Sequence, residues 1–215
     1  MEHIKAVIFD MDGVLIDSEP LWRIAMIKGF NDIGIQFTDE DCRKTTGMRF
    51  REVVEHWFNH HNITHSTPIQ LNDNVISHLV ELIKQDGMAM GGAVDVLEFF
   101  RAKKIPIGLA TSSNHILIEA VLSKTQTALY FNEVTSAEFL QHGKPHPEVF
   151  LKCAENLAVD PRTCLVIEDS VNGVLAGKAA GMTVIAVPDK DHFSDKRFEI
   201  ADYKLNNLKD VIKLF

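Results

Sequence analysis

Apolar positions follow two different periods along the chain. The stretch KAVIF over 5–9, with its β-branched and aromatic residues, predicts a buried strand, which Asp10 ends abruptly. Over 17–88, apolar residues recur instead at helical spacing, and Thr38 followed three residues later by Asp41 is typical of a helix-capping box. These patterns predict four successive helices with no strand between them, at 18–34, from residue 38, at 49–60 and at 68–87.

Beyond residue 90 the pattern changes to an alternation of helices and strands. The predicted helices are 93–104, 114–123, 147–157 and 171–181, and the predicted strands are 105–110, a short one near Val134, 163–169 and 182–187. Such alternation predicts crossover connections and a parallel sheet. We therefore expect an α/β protein: a Rossmann-like parallel-sheet core from residues 1–16 and 89–215, with a four-helix cap inserted over 17–88.

Composition excludes several classes of function. The 215 residues carry a net charge of −8, which argues against a nucleic-acid or anionic-membrane surface, since either would need a basic face. No apolar run approaches the ~20 residues that span a bilayer, and acids interrupt the apolar amino terminus, so we expect neither a membrane span nor a signal peptide. The three scattered cysteines fit reduced thiols of a cytoplasmic protein.

Acidic residues follow two of the predicted strands. Asp10 and Asp12 come after the first strand, and Glu168 and Asp169 end the strand over 163–169. Because the carboxyl ends of parallel strands share one edge, where ligands bind, these acids should lie together. Such a cluster raises the pKa of its members and requires a cation. An all-oxygen ligand set without cysteine or an obligatory histidine suits Mg²⁺.

Phosphate-binding groups are predicted at the same edge. Thr111 and Ser112 end the strand over 105–110 and open a helix, and Lys144 stands in a proline-flanked loop. A helix N-terminus, hydroxyls and a lysine together suit a phosphate group. An aspartate in line with the phosphorus atom is a candidate covalent nucleophile. The residues alone thus predict a site for a small phosphorylated substrate.

Four segments in order, FDMDGVLIDSEPLW, LATSS, GKPHPEVFL and CLVIEDSVNGVLAGKAAGM, resemble the four motifs of the haloacid dehalogenase superfamily in its phosphatase branch. The resemblance covers essentially the whole chain, and the predicted helical insert fits that superfamily's cap. Within the superfamily, the chain is most similar to the β-phosphoglucomutase-like group, especially its bacterial 2-deoxyglucose-6-phosphate and sugar-phosphate phosphatases. For a capped enzyme of this size, we expect a monomer.

The resemblance implies a role for each matching residue. Asp10 would attack phosphorus and become an aspartyl-phosphate, while Asp12 would protonate the leaving alcohol and then deprotonate the hydrolytic water. Mg²⁺ would be held by the carboxylates of Asp10 and Asp169 and the backbone carbonyl of Asp12, with Glu168 as a ligand or as the partner of one. The transferring phosphoryl group would be bound by Thr111, Ser112 and Lys144.

Arg49 is the candidate substrate-binding residue of the cap. It lies in the stretch TGMRF, where related caps carry a substrate-specificity loop. There it would contact hydroxyls or a second charge on the substrate when the cap closes. An exposed arginine at the start of a helix is an equally good interpretation of the same pattern.

Three functions are therefore compared. The leading one is a Mg²⁺-dependent phosphatase for small sugar or polyol phosphates. A β-phosphoglucomutase is the alternative within the same superfamily, but the mutases have a histidine in the first cap helix where this chain has Trp22. A non-catalytic phosphate-binding protein is disfavoured because Asp10, Asp12, Lys144 and the other motif residues are intact.

Overall fold

A parallel sheet, with six strands among the described residues, forms the centre of the protein. The structure, a computed structural model, describes Met1 and residues 3–45 and 47–215. The strands are β1 (Ala6–Phe9), β2 (Ile107–Thr111), β3 (Glu133–Ser136), β4 (Cys164–Glu168), β5 (Thr183–Ala186) and β6 (Tyr203–Lys204). They are ordered β3-β2-β1-β4-β5-β6, and every neighbouring pair is parallel. Because β1 and β4 are buried along their whole length, their sequences are apolar without alternation up to Glu168, the last residue of β4.

In the described part of the chain, eight α-helices surround the sheet or extend from it. They are α1 (Glu19–Asp32), α2 (Asp39–Lys44), α3 (Phe50–His61), α4 (Pro68–Asp86), α5 (Ala93–Ala102), α6 (His115–Thr125), α7 (Glu148–Asn156) and α8 (Val171–Ala179). One face of the sheet, which includes Phe9 and Leu109, packs in a core with α5 and α6. The opposite face, which includes Ile8 and Val166, packs against α7 and α8. The α/β class predicted from the sequence is confirmed.

For most helices and strands, the ends predicted from the sequence lie within three residues of the ends in the structure. The predicted capping box of α2 is present: the Asp41 amide donates to Thr38 Oγ1 at 3.3 Å, and the Thr38 amide donates to Asp41 Oδ2 at 3.1 Å. The sequence analysis did not find β6, because its two residues are too few to show a period.

The four helices α1–α4 are joined to the rest of the chain by two paired segments. The Asp17 amide donates to the Met88 carbonyl, and the Met90 amide to the Leu15 carbonyl, each at 2.9 Å. The predicted boundaries between the core domain (1–16 and 89–215) and the cap domain (17–88) fall at this pairing. The division into two domains stays a prediction. No helix among the described residues has the length and apolarity needed to cross a bilayer.

Candidate active site

Neighbouring strands bring the predicted acids together. The Asp10 amide donates to the Ile167 carbonyl at 3.0 Å, which fixes Asp10 beside the end of β4, where Glu168 and Asp169 follow. Thr111 ends β2 on the other side of β1. Asp10 is only 7% exposed and Glu168 is fully buried. The convergence predicted from topology is therefore present, with Asp10 and Glu168 buried and Asp169 half-buried.

Lys144 pairs with two of these acids. Its Nζ donates to Asp10 Oδ1 at 2.6 Å, to Glu168 Oε1 at 2.7 Å and to the Ala110 carbonyl at 3.2 Å. All three hydrogens of the ammonium group are thus used, although the residue is only 4% exposed. Burial alone would lower the pKa of Lys144, but the two carboxylates raise it above its ordinary value, so the side chain stays a cation.

One lysine does not neutralise the cluster. Burial, together with the charges of Glu168 and Asp12, raises the pKa of Asp10 to about 7, although Lys144 acts in the opposite direction. Burial and the neighbouring Glu168 and Asp10 also raise the pKa of Asp169 well above its ordinary value. At neutral pH this cluster therefore favours a further proton or a bound cation.

The geometry of the acids fits a hard cation. Asp10, Glu168 and Asp169 each offer a carboxylate oxygen, and these oxygens lie within 4.8 Å of one another. Oxygen-only ligands match the preference of Mg²⁺. Glu168 is already engaged, however, since Oε1 accepts from Lys144, and Oε2 accepts from the Ser170 amide at 2.9 Å and hydroxyl at 3.0 Å. Glu168 therefore fits better as the partner that positions Lys144 than as a ligand.

Two glycines make room for the acidic side chains. A Cβ atom at Gly173 would lie 1.6 Å from Glu168 Oε1, and one at Gly13 would lie 2.0 Å from Asp169 Oδ2. Gly13 also has a φ of 71°, which other residues rarely adopt. Only glycine at both positions allows the backbone to approach the carboxylates this closely.

Asp12 is held by hydrogen bonds from a different set of side chains than Asp10. Its Oδ1 accepts from Ser18 Oγ at 2.5 Å and from Trp22 Nε1 at 3.1 Å, and its Oδ2 accepts from Ser113 Oγ at 2.7 Å. Ser18 lies at the N-cap position of α1, but its hydroxyl makes no capping bond and turns to Asp12 instead. Asp10 and Asp12 thus have different surroundings, which allows two carboxylates of one loop to perform different tasks.

The predicted phosphate-binding loop surrounds the start of α6. Thr111 is 1% exposed, and its Oγ1 accepts from the Ser113 amide at 3.1 Å. Ser112 Oγ donates to the Gly47 carbonyl at 3.5 Å, which joins this loop to the segment between α2 and α3. The Asn114 side chain caps α6 by accepting from the Leu117 amide at 3.2 Å.

Arg49 is neither exposed nor free. Its Nε and one terminal nitrogen bind Glu52 Oε1, and its two terminal nitrogens donate to the carbonyls of Ala137 (3.2 Å), Leu140 (2.8 Å) and Gln141 (3.4 Å). All five N–H groups of the guanidinium are thus used. The interpretation as an exposed helix-start arginine is wrong, since the residue is 7% exposed. Contact with substrate stays a prediction, and it would require one of these bonds to break.

A cavity of about 390 Å³ connects these groups. All eight residues singled out as site candidates line it: Asp10, Asp12, Arg49, Thr111, Ser112, Lys144, Glu168 and Asp169. The sequence analysis did not predict that Ser18, Trp22 and Ser113 would hold Asp12. Ser18 lies at the start of a helix and Trp22 among its apolar positions, so the local sequence does not indicate that either side chain contacts Asp12. The contact depends on the direction in which each side chain points.

A parallel sheet with a buried lysine–carboxylate cluster at its carboxyl edge, next to an inserted set of helices, defines a class of phosphoryl-transfer enzymes. Residues 4–181 match the family model of the haloacid dehalogenase-like hydrolases. The chain belongs to this family and is a phosphoric monoester hydrolase.

Two of the curated relatives that the chain resembles are named as phosphatases. The chain is 36% identical over 210 residues to hexitol phosphatase B of Escherichia coli K12, covering 97% of this chain and 95% of the relative. It is 32% identical to the phosphorylated carbohydrates phosphatase of Thermotoga maritima, covering 83% and 82%. The crystal structure of β-phosphoglucomutase from Clostridium difficile superposes with a TM-score of 0.85 at 24% identity, covering 97% and 93%, which supports the fold.

Proposed function

We propose that this protein is a Mg²⁺-dependent phosphatase that hydrolyses small sugar or polyol phosphates through an aspartyl-phosphate intermediate. The observation that carries the proposal is the environment of Asp10: a buried carboxylate on a cavity wall, oriented by Lys144 and adjacent to further acids. Relatives named as hexitol phosphatase and phosphorylated carbohydrates phosphatase support a sugar-derived leaving group. A cytoplasmic monomer stays our expectation.

In the first step, an oxygen of the Asp10 carboxylate forms a bond to phosphorus and the bond from phosphorus to the ester oxygen breaks. The departing alkoxide takes the proton of the Asp12 carboxyl group and leaves as the alcohol. Lys144 holds the Asp10 side chain in position, and Thr111 and Ser112 line the cavity near the transferring group. The products are an aspartyl-phosphate at Asp10 and an ionised Asp12.

In the second step, a water oxygen forms a bond to phosphorus and its proton passes to the Asp12 carboxylate. The bond between phosphorus and the Asp10 oxygen breaks, which releases inorganic phosphate and restores the Asp10 carboxylate. Asp12 ends the cycle protonated, as it began. One group therefore acts as acid and then as base, and its hydrogen bonds come from Ser18, Trp22 and Ser113, whereas Lys144 pairs with Asp10.

The residues that would hold Mg²⁺ are Asp10 and Asp169, with the backbone carbonyl of Asp12 as the third protein ligand. When bound, the ion neutralises negative charge on the phosphoryl oxygens and on the acidic cluster. The raised pKa values of Asp10 and Asp169 support a cation at this position. Glu168 would act through Lys144 and the Ser170 loop.

The charges of the cavity favour an uncharged leaving group. Among the described residues, each arginine that lines the cavity has a carboxylate within 3.7 Å: Arg23 with Glu19 and Asp39, Arg43 with Asp39, Arg49 with Glu52, and Arg51 with Glu55. A second phosphate or carboxylate on the substrate would compete with these acids. This pairing favours a sugar or polyol monophosphate and disfavours the mutase, whose cap must accommodate a bisphosphate.

The test is phosphate release from a panel of substrates, in Mg²⁺ and in EDTA. We expect turnover of hexose and hexitol phosphates, slower turnover of phosphoglycolate and fructose 1,6-bisphosphate, and loss of activity in EDTA. Asp10→Asn should abolish release, whereas Asp32→Asn, at an exposed carboxylate, should not change it.

Three outcomes would contradict the proposal. Activity that survives Asp10→Asn would exclude the aspartyl-phosphate. Conversion of β-glucose 1-phosphate to glucose 6-phosphate without net phosphate release would identify a mutase. Binding of phosphate esters without turnover would identify a phosphate-binding protein.

A further inference from the structure

The carboxylate of Asp12 accepts hydrogen bonds from two parts of the protein. From the sheet edge, Ser113 Oγ contacts Oδ2 at 2.7 Å. From the start of the inserted helices, Ser18 Oγ and Trp22 Nε1 contact Oδ1 at 2.5 and 3.1 Å. The following inference rests on the proposed function, in which Asp12 carries the proton.

These donors differ in chemistry. A serine hydroxyl donates or accepts according to its rotation, so Ser18 and Ser113 can both adapt to a protonated or an ionised Asp12. The indole N–H of Trp22 is a donor only. A proton on Oδ1 would therefore point at the indole hydrogen, whereas a proton on Oδ2 requires only that the Ser113 hydroxyl rotate and accept.

The position of Trp22 depends on the packing of the inserted helices. It lies in the first turn of α1, is half-buried, and its ring contacts the Phe50 ring with centroids 5.3 Å apart. Phe50 follows Arg49, whose guanidinium is bound to the carbonyls of residues 137, 140 and 141. The indole N–H thus bonds to Asp12 in an arrangement in which Arg49 joins the start of α3 to the sheet edge.

We propose that Trp22 is a positioning residue for the acid–base step: it keeps Oδ1 of Asp12 an acceptor and directs the catalytic proton to Oδ2. When the ester bond breaks, the proton moves from Oδ2 to the departing alkoxide. Asp12 is then ionised, and both of its oxygens accept hydrogen bonds as they do in the structure. Trp22 does not touch the reacting atoms and acts through Asp12.

Trp22→Phe tests this role because it keeps an aromatic ring against Phe50 and removes the N–H group. The parameter kcat/KM includes the steps up to departure of the leaving group. An alkoxide needs the proton of Asp12 to leave, whereas 4-nitrophenolate leaves without it. We expect kcat/KM to fall about tenfold for a hexose or hexitol phosphate, a fraction of what general acid catalysis contributes, and less than twofold for 4-nitrophenyl phosphate.

The matched control is Trp57→Phe, the same substitution at the chain's other tryptophan. Trp57 Nε1 is buried and has no hydrogen-bond partner among the residues that the structure describes. This variant should leave the ratio of the two kcat/KM values unchanged. Equal losses on both substrates in Trp22→Phe would indicate a purely structural role and overturn the proposal, as would no loss on either.

A second measurement does not depend on the activity of a variant. With only two tryptophans, a ¹H–¹⁵N spectrum of the full chain contains two indole signals, which Trp22→Phe and Trp57→Phe assign. Asp12→Ala should shift the Trp22 signal and leave that of Trp57 in place. An unmoved Trp22 signal would show that the bond is absent. Failure of the proposed function is distinct, since wild type would then release phosphate from neither substrate.

Discussion

Replacing Lys144 by methionine removes the cation that pairs with Asp10 and Glu168 while keeping a side chain of similar length. The ammonium group makes ion pairs of 2.6 Å with Asp10 and 2.7 Å with Glu168, and it lies 4.7 Å from the centroid of the Phe150 ring. The thioether can keep the contact with the ring, but it leaves two buried carboxylates without their partner. We therefore expect the effect on stability to come from charge rather than from packing.

The magnitude follows from the geometry. Removing one partner of a buried ion pair costs about 3–5 kcal/mol of unfolding free energy. With an unfolding entropy of about 2.1 cal/mol/K per residue, this corresponds to a decrease in Tm of about 7–11 °C for a chain of 215 residues. Binding of Mg²⁺ at about 100 times its Kd would raise the unfolding free energy by roughly 2.7 kcal/mol, which corresponds to an increase in Tm of about 6 °C.

The assay is thermal unfolding of wild type and Lys144→Met in EDTA and in saturating Mg²⁺, followed by circular dichroism. Lys152→Met is the control, because Lys152 pairs with Glu155 at 2.9 Å on the surface and should change Tm by little. A Lys144→Met variant within 2 °C of wild type in EDTA would refute the reasoning, as would a variant that gains less from Mg²⁺ than wild type does.

Three further predictions concern other parts of the site. Because the folded-state pKa of Asp10 is raised from 3.8 to about 7, the folded protein binds this proton more tightly than the unfolded chain; stability in EDTA should fall as pH rises from about 4 to 7, as urea unfolding would show. Gly173→Ala places a Cβ 1.6 Å from Glu168 Oε1 and should cost about 3 kcal/mol in urea unfolding. Arg49→Lys keeps the charge but cannot reach three carbonyls at once, so KM for a sugar phosphate should rise about tenfold in steady-state assays.

Each of these three predictions has a control experiment or a result that would contradict it. Saturating Mg²⁺ should flatten the pH dependence, and stability that rises between pH 4 and 7 in EDTA would contradict the raised pKa of Asp10. Gly91→Ala, where a Cβ would meet no atom within 4 Å, should be tolerated. If Arg49→Lys raised KM equally for 4-nitrophenyl phosphate, Arg49 would have no part in selecting the leaving group.

Much of the fold and of the acidic cluster was predictable because it depends on local pattern and on topology. The apolar run of β1 predicts a buried strand, and helix–strand alternation predicts a parallel sheet. Once strands are parallel, their carboxyl ends must meet, so Asp10 and Asp169 come together whatever the details of packing. The capping box at Thr38 is equally local, since its two partners are three residues apart.

Only the tertiary structure decided how individual side chains are used. Arg49 and Leu140 are 91 residues apart, and Ser113 and Asp12 are 101 apart, yet each pair is hydrogen-bonded. No period or propensity encodes these directions, which arise when the inserted helices pack against the sheet edge. The sequence by itself therefore predicted which acids gather, and it indicated a cation to offset their charge. The packing of α1 and α3 determined that Trp22 holds Asp12, and that Arg49 binds backbone carbonyls, because side-chain orientation is fixed by long-range contacts.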